Sequence, residues 1–439
     1  MGIVKTVVGW LGFMGEPLTG PERREQVLRR ELWRTRNSAS FRLGNHLVEA
    51  IRKPWRFIFL PVTMPYIFWQ IGMEMLGRRP RPMNDSMIQL RGGPEKCVIL
   101  FPTNGVGFGH FTRMYALARR LRRLDSDLEI IFFTTQPTLH LPYLDGFPTY
   151  HLAGPNKFNG MDSEGWNSMV QEMLSLVLET HRPQTFVFDG AFPYRGMLDA
   201  LDTIAVPQKV WMRRGMFRKG SSIPVDSISK FDLIVHPEDA VPLNSSEIKH
   251  DVDVMMVSPI TLIDSNEMWE RDAARIRLGV PIDARIVYVQ LGAGQINDID
   301  SDVRQIVDAL LDYEEVYVVL GESLLGERIQ LELERVHLIR DYPNSLFLNA
   351  FDFCIQAGGY NSFHEMRNKG LPTLFIPNMN TGMDDQLARC VVAEKEGWGI
   401  VHNPSKNFSH SIQNLFQMSE IESSIPEKNG AVELAKFIV

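Results

Sequence analysis

The stretch QAGGYNSFHEMRNKGLPTLFIP, Gln356 to Pro377, reads as one strand–turn–helix–strand unit. Phe353 to Gln356 is an apolar strand, Gly358-Gly359 a turn and Asn361-Ser362 a polar cap, followed by a helix and a second strand, Thr373 to Ile376. A glycine turn feeding a helix start offers free N–H groups and a partial positive charge, a ready site for an anion and most often for phosphate. Glu365, expected in the first helical turn, does not suit phosphate alone. A carboxylate there accepts hydrogen bonds from vicinal hydroxyls, as an acidic residue does with ribose in dinucleotide folds. A nucleoside diphosphate satisfies both features. The competing reading is a capping box, Ser362-x-x-Glu365, which needs no ligand.

The same alternation extends outward. From Cys97, CVILFPTNGVGFGHFTRMYALARRLRRL gives a strand, a glycine-rich turn and a helix with Met114, Leu117, Leu121 and Leu124 at helical spacing. The β-rich runs LEIIFFTT, TFVFDG, QKVWM and DLIVH follow. Between Ser258 and Pro281 the rhythm breaks, then restarts with IVYVQLGAGQINDIDSDVRQIVDALL and the runs VYVVLG, VHLIRD and DFCIQAGG. The expected fold is α/β, with two Rossmann-like doubly wound domains, 93–260 and 261–439, facing a cleft that holds ligands at the strands' carboxyl ends. The 439 residues also exceed what one core usually supports.

Charge sets the first part of the chain apart. Residues 1–90 hold 14 Lys and Arg against 7 Asp and Glu, whereas the rest holds 32 against 46. This leader has no signal-peptide layout and no uninterrupted apolar run of spanning length. Its segment Ser40 to Pro82 mixes bulky apolar residues with flanking arginines, and within it Phe57 to Trp69 is apolar but broken by Pro61 and Pro65. Trp55, Tyr66 and Trp69 have rings suited to a membrane interface; Arg52, Lys53 and Arg56 on one side and Arg78, Arg79 and Arg81 on the other suit anionic lipid heads. Residues 1–92 are therefore expected to attach the protein to the inner face of the cell membrane from the cytoplasm. The alternative is packing on the body or on another subunit. Cys97, Cys354 and Cys390 are widely spaced and read as reduced, packed thiols, with no zinc site.

The first glycine turn, Asn104 to His110, looks at first like a dinucleotide fingerprint. The acidic residue due at the end of the next strand is missing, because IIFFTTQ ends in Thr134-Thr135-Gln136. His110 stands directly after the glycines at a helix start, which favours the neutral imidazole and makes it a candidate general base. Asp189, at the carboxyl end of TFVFDG, is placed to orient it.

Gly107-Phe108-Gly109-His110 with Arg113, together with AGGYNSFHEMRNKGLPTLFIPNMNTGMDDQLARC, resembles the inverting, metal-independent nucleotide-sugar glycosyltransferases of GT-B fold. The nearest patterns are the peptidoglycan N-acetylglucosaminyltransferase and the UDP-glucuronosyl/UDP-glucosyltransferase group, over about residues 95 to 405. The resemblance implies a donor diphosphate on Gly358, Gly359, Asn361 and Ser362, ribose on Glu365, and the donor sugar on Asp385 and Gln386. It implies His110 as base with Asp189 beside it, Gly107, Gly109 and Arg113 on the acceptor side, and the base of the nucleotide near Tyr342. The relatives often have a threonine-containing turn where this chain reads GGYNS, and nothing near Tyr342 separates uracil from thymine or guanine. Further candidates at strand ends are Gly292, Gly294 and Gln295 for diphosphate or acceptor. Arg213 and Arg214 read either as contacts for an anionic acceptor or as a solvated surface pair. The run Asp298–Asp302 reads as a helix-start acid cluster. The expected partners are a nucleotide sugar, UDP-sugar favoured, a glycan or lipid-linked acceptor and an anionic membrane, with no cofactor, metal or nucleic acid. A UDP-sugar epimerase of the same fold and a non-catalytic glycan-binding subunit remain open.

Overall fold

The computed structural model describes residues 32, 35–76, 78–79, 94–103, 107–155, 161–214, 225–242, 252–292, 300–325, 329, 331–380, 384–419 and 428–439. Two parallel sheets organise them. The first contains β1 (Glu95–Pro102), β2 (Glu129–Thr134), β3 (Thr149–His151), β4 (Pro183–Asp189), β5 (Gln208–Met212), β6 (Leu233–Pro237) and β7 (Asp253–Val257), ordered β3-β2-β1-β4-β5-β6-β7. The second contains β8 (Arg285–Gln290), β9 (Val316–Gly321), β10 (Val336–Ile339), β11 (Phe353–Gln356), β12 (Thr373–Phe375) and β13 (Gly399–Val401), ordered β10-β9-β8-β11-β12-β13. The two doubly wound halves are present. In each sheet the strand order reverses at the first strand of the half, β1 or β8, where such folds open a crevice for ligands.

The strands are continuous apolar runs because helices cover both sheet faces: Cys97 to Phe101 and Ile130 to Phe133 are buried without alternation. Four helices bear on the cleft or close the first half: α3 (Gly109–Leu124), α4 (Tyr360–Lys369), α5 (Gln386–Glu396) and α6 (Gly430–Ile438). In α3, Phe111, Met114, Leu117 and Leu121 form the stripe that packs on β1 and β2. Helix α6 crosses back. Its Ala431, Leu434, Ala435 and Ile438 join the same core, so the end of the expected second domain belongs in space to the first.

The described part of the leader is a helical hairpin of α1 (Ala39–Arg52) and α2 (Leu60–Met75). Pro61 lies in the first turn of α2, where its missing N–H costs nothing, and the helix continues through Pro65. Arg42 Nη1 donates to Glu74 Oε2 at 2.6 Å, and His46 Nε2 lies 2.8 Å from Thr63 Oγ1, tying the two helices together. Trp55, Ile58, Val62 and Trp69 are 60%, 77%, 72% and 55% exposed, so the described body does not cover them. Among the described residues no helix is long and apolar enough to cross a membrane. Arg81 and residues 1–31 of the leader lie outside the described residues.

Candidate active site

Asp189 ends β4 directly beside Pro102, the last residue of β1, so the expected base and acid meet at the reversal point of the first sheet. The chain leaves β1, and α3 starts at Gly109 with no side-chain cap on its amides. His110 Nδ1 lies 2.7 Å from Asp189 Oδ1. Arg113, one turn further along α3, grips the same carboxylate: Nε donates to Oδ2 at 2.9 Å and Nη2 to Oδ1 at 2.7 Å. Burial works against the charge on Asp189, but Arg113 and His110 outweigh it and hold the carboxyl below its ordinary value. An ionised Asp189 accepts the Nδ1 proton, which leaves Nε2 bare and able to take a proton. Burial lowers the imidazole's pKa; Asp189 pulls the other way, and Arg113 and Arg214 add to the lowering. The His110 side chain keeps 21% of its surface open, enough for a substrate to reach. The Arg113 side chain is 2% exposed and is held on Asp189.

The second half mirrors this layout. Gln356 closes β11 in register with Gln290 of β8, and the glycine turn follows. Gly359 is the N-cap of α4 with no side-chain hydrogen bond, and Ser362 Oγ donates to Gly359 O at 3.3 Å. The capping box is not formed. Glu365 falls in the second turn, because the helix starts at Tyr360 and not beyond Ser362, so no capping side chain claims the first-turn amides. Burial pushes the Glu365 carboxyl up to about 7, partly offset by Ser345. Gly292 has φ +104°, a conformation that suits glycine, just after β8. A side chain at Gly358 would collide with Cys390 Sγ, because α5 packs directly on the turn. Gly294, Gln295, Asn104 to Val106 and Asp298 lie outside the described residues.

Three further candidates have structural partners. Asp385 caps α5, accepting from Ala388 N at 3.1 Å, and Gln386 Oε1 accepts from Asn378 N at 2.9 Å. Tyr342 inserts its ring among Phe108, Phe111 and Tyr115 of the first half, and its hydroxyl meets Thr112 Oγ1 at 2.8 Å.

The halves meet through the two helix starts. Asn361 Nδ2 donates to Gly109 O at 3.3 Å, and Arg113 Nη1 reaches Asn361 Oδ1 at 3.5 Å. Sequence reading missed the larger contact. Arg389 of α5, fully buried, forks onto Asp239 with Nε at 2.8 Å and Nη2 at 2.7 Å, and also bonds Asp384 at 2.7 Å and Gly358 O at 2.5 Å. Burial opposes the charge on Asp239, but Arg389 and His364 hold it well below the carboxylate range. Arg214 lies 3.4 Å from Asp384. Arg113, Arg214 and Arg389 stand 5.6, 5.1 and 5.8 Å from the centre of the Tyr360 ring, the residue that departs from the relatives' turn. Arg213 and Arg214 are therefore not a solvated pair. Arg213 is buried beside Trp211, and Arg214 points across the cleft toward the start of α4. Asp239 follows β6 as Asp189 ends β4, a strand-end position that could have marked it.

No protein-family model matches the chain, and no curated protein matches it. Solved structures do, and the fold they share with this chain is the two-domain GT-B fold. MurG from Acinetobacter baumannii matches at 12% identity and TM-score 0.50, over 78% of this chain and 99% of that one. The UDP-GlcNAc 2-epimerase from Methanocaldococcus jannaschii matches at 12% and 0.52, with the same coverage. The glycotransferase of kitacinnamycin matches at 12% and 0.52, over 78% and 93%. At these identities the likeness is one of fold.

Proposed function

We propose that the protein is an inverting glycosyltransferase. It moves a sugar from a nucleotide diphosphate sugar, UDP-sugar favoured, to a hydroxyl of a lipid-linked or cell-surface glycan. The observation that carries this is the His110–Asp189–Arg113 group at one uncapped helix start, facing a second uncapped helix start across the cleft. His110 Nε2 takes the proton of the acceptor hydroxyl as that oxygen bonds to the anomeric carbon. The bond from that carbon to the diphosphate breaks, and the diphosphate leaves on the opposite side. The amides of Tyr360 to Ser362 and the Arg214 guanidinium neutralise the departing charge, and Glu365 accepts from the ribose hydroxyls. No metal and no cofactor beyond the nucleotide sugar enters this reading. The leader hairpin, with its exposed aromatic rings and Arg52, Lys53 and Arg56, supports attachment to an anionic membrane where such acceptors sit.

Calorimetry with UDP, dTDP, GDP and their sugars tests the donor side. UDP should bind, and Glu365→Ala should weaken it by about 1.5–3 kcal/mol, the loss expected for charged hydrogen bonds. Equal affinity in both proteins refutes the assignment. Turnover of a UDP-sugar without any acceptor would mark an epimerase instead.

A further inference from the structure

The Arg389 guanidinium is fully buried and divides its donors among three residues. Nε and Nη2 fork onto Asp239, Nη2 also bonds Asp384, and Nη1 donates to the carbonyl oxygen of Gly358 at 2.5 Å. That carbonyl belongs to the peptide joining Gly358 to Gly359, in the turn between β11 and α4. In a trans peptide the C=O and N–H point in opposite directions, so the Gly359 N–H faces away from Arg389 and from α5. Burial follows the same division: Gly358 is buried and Gly359 half-buried. A Cβ at Gly358 would meet Cys390 Sγ and Gln386 O of α5, whereas one at Gly359 would meet nothing closer than Ser362 Oγ at 3.5 Å. Gly359 also sits at φ −63°, ψ 145°, a conformation open to any residue. Neither packing nor dihedral demands glycine there, and a bare backbone suits the close approach of a ligand.

A peptide between two glycines turns over with little steric resistance. The flip reverses ψ of Gly358 and φ of Gly359 and carries Gly359 to positive φ, which glycine enters freely. It would present a carbonyl oxygen where the amide stood, and a carbonyl repels the phosphate that an amide binds. The bond from Arg389 opposes this flip. The carboxylates that fix Arg389 come from both halves: Asp384 from the second, and Asp239, which follows β6, from the first. The same stretch of the first half holds α4, since the Tyr360 hydroxyl donates to Glu238 O at 2.9 Å and His364 Nε2 lies 3.4 Å from Asp239 Oδ1. We propose that Arg389 is a positioning residue for the donor diphosphate: it holds the Gly358 carbonyl on the α5 side, so that the Gly359 amide faces the diphosphate, and it takes its own orientation from Asp239. The half that carries His110 thereby sets the anion turn of the other half. The proposal rests on the glycosyltransferase reading for the word donor, and on the bond to the Gly358 carbonyl for the role of Arg389.

Calorimetry of the full-length protein with inorganic pyrophosphate and with UDP, and saturation-transfer NMR with uridine, test it. Arg389→Met alone would leave Asp239 buried and unpaired, so it is combined with Asp239→Asn, which removes both charges together. The double variant should bind pyrophosphate and UDP about 10-fold more weakly, the worth of one hydrogen bond to a charged group, with uridine binding unchanged. Equal pyrophosphate and UDP affinity in wild type and the folded double variant overturns the proposal and leaves the donor reading standing. Uridine binding lost in step with UDP overturns it as well, because Arg389 then only holds the site together. Pyrophosphate bound by wild type and weakened in the variant, with no nucleotide bound by either, keeps the role of Arg389 and refutes the donor reading. A wild type that binds neither pyrophosphate nor UDP refutes both. If the double variant melts below the assay temperature, Arg389→Lys decides. Its ammonium keeps a charge beside Asp239 without the fork, so pyrophosphate should weaken about 3-fold, and unchanged affinity overturns the proposal.

Discussion

Glu365 carries opposing demands. Its carboxyl titrates near 7 in the folded chain because burial disfavours the charge, against an ordinary value of 4.5. The folded state therefore binds more protons than the unfolded one between these values, and this residue's contribution to stability falls as pH rises from 4.5 to 7. Above pH 7 the fold bears the whole cost, about 1–3 kcal/mol after allowing for the residue's partial exposure. Ribose hydroxyls would supply the missing partners. Glu365→Gln should raise the melting temperature at pH 8 and barely change it at pH 4.5, while weakening UDP at pH 8. A melting shift equal at both pH values contradicts this account. Arg214 offers a second check at this scale, since its charge helps lower the His110 pKa. In Arg214→Gln the acid limb of the turnover profile should move to higher pH, and an unmoved limb argues that the guanidinium does not face the base.

At the scale of elements, strands were the most legible part, because parallel strands covered on both faces read as plain apolar runs: Phe353–Gln356 stands where the residues place it. The helix after it was misread by about a turn. Ser362-x-x-Glu365 has the letters of a capping box, but the chain turns into the helix at Gly359, next to Gly358, on which α5 packs closely. The leader's aromatic content was legible, and its hairpin shape was not, since the two prolines suggested breaks where one starts a helix and the other is carried inside it. Each exposed ring that inserts at a bilayer surface removes apolar area from water, worth about 1.5–3 kcal/mol when burial is complete. Full-length protein should sediment with liposomes containing phosphatidylserine, and Trp55→Ser with Trp69→Ser should release much of it. High salt should release part, through screening of Arg52, Lys53 and Arg56. Equal sedimentation of wild type and the double variant rules out the hairpin as the anchor.

At the scale of the whole molecule, the division into two halves was legible from the restart of the strand–helix rhythm, and their mutual contacts were not. Asp239 and Arg389 stand 150 residues apart, and no local pattern links them. The same holds for Tyr342 among the aromatic rings of the first half, and for α6 returning to a core built 300 residues earlier. His110 and Asp189 were legible as a pair because Asp189 ends a strand and His110 opens the helix that follows the turn after the neighbouring strand, the edge where a doubly wound fold brings distant residues together. The central claim divides the labour between halves: proton removal in the first, donor binding in the second. His110→Ala tests it most directly, with UDP calorimetry and turnover of the UDP-sugar that binds, measured with lipid-linked glycan intermediates as acceptors. UDP affinity should be unchanged and turnover should fall about 100- to 10,000-fold, the usual contribution of a positioned base. A variant that transfers sugar at the wild-type rate, or one that loses UDP binding along with turnover, contradicts the claim.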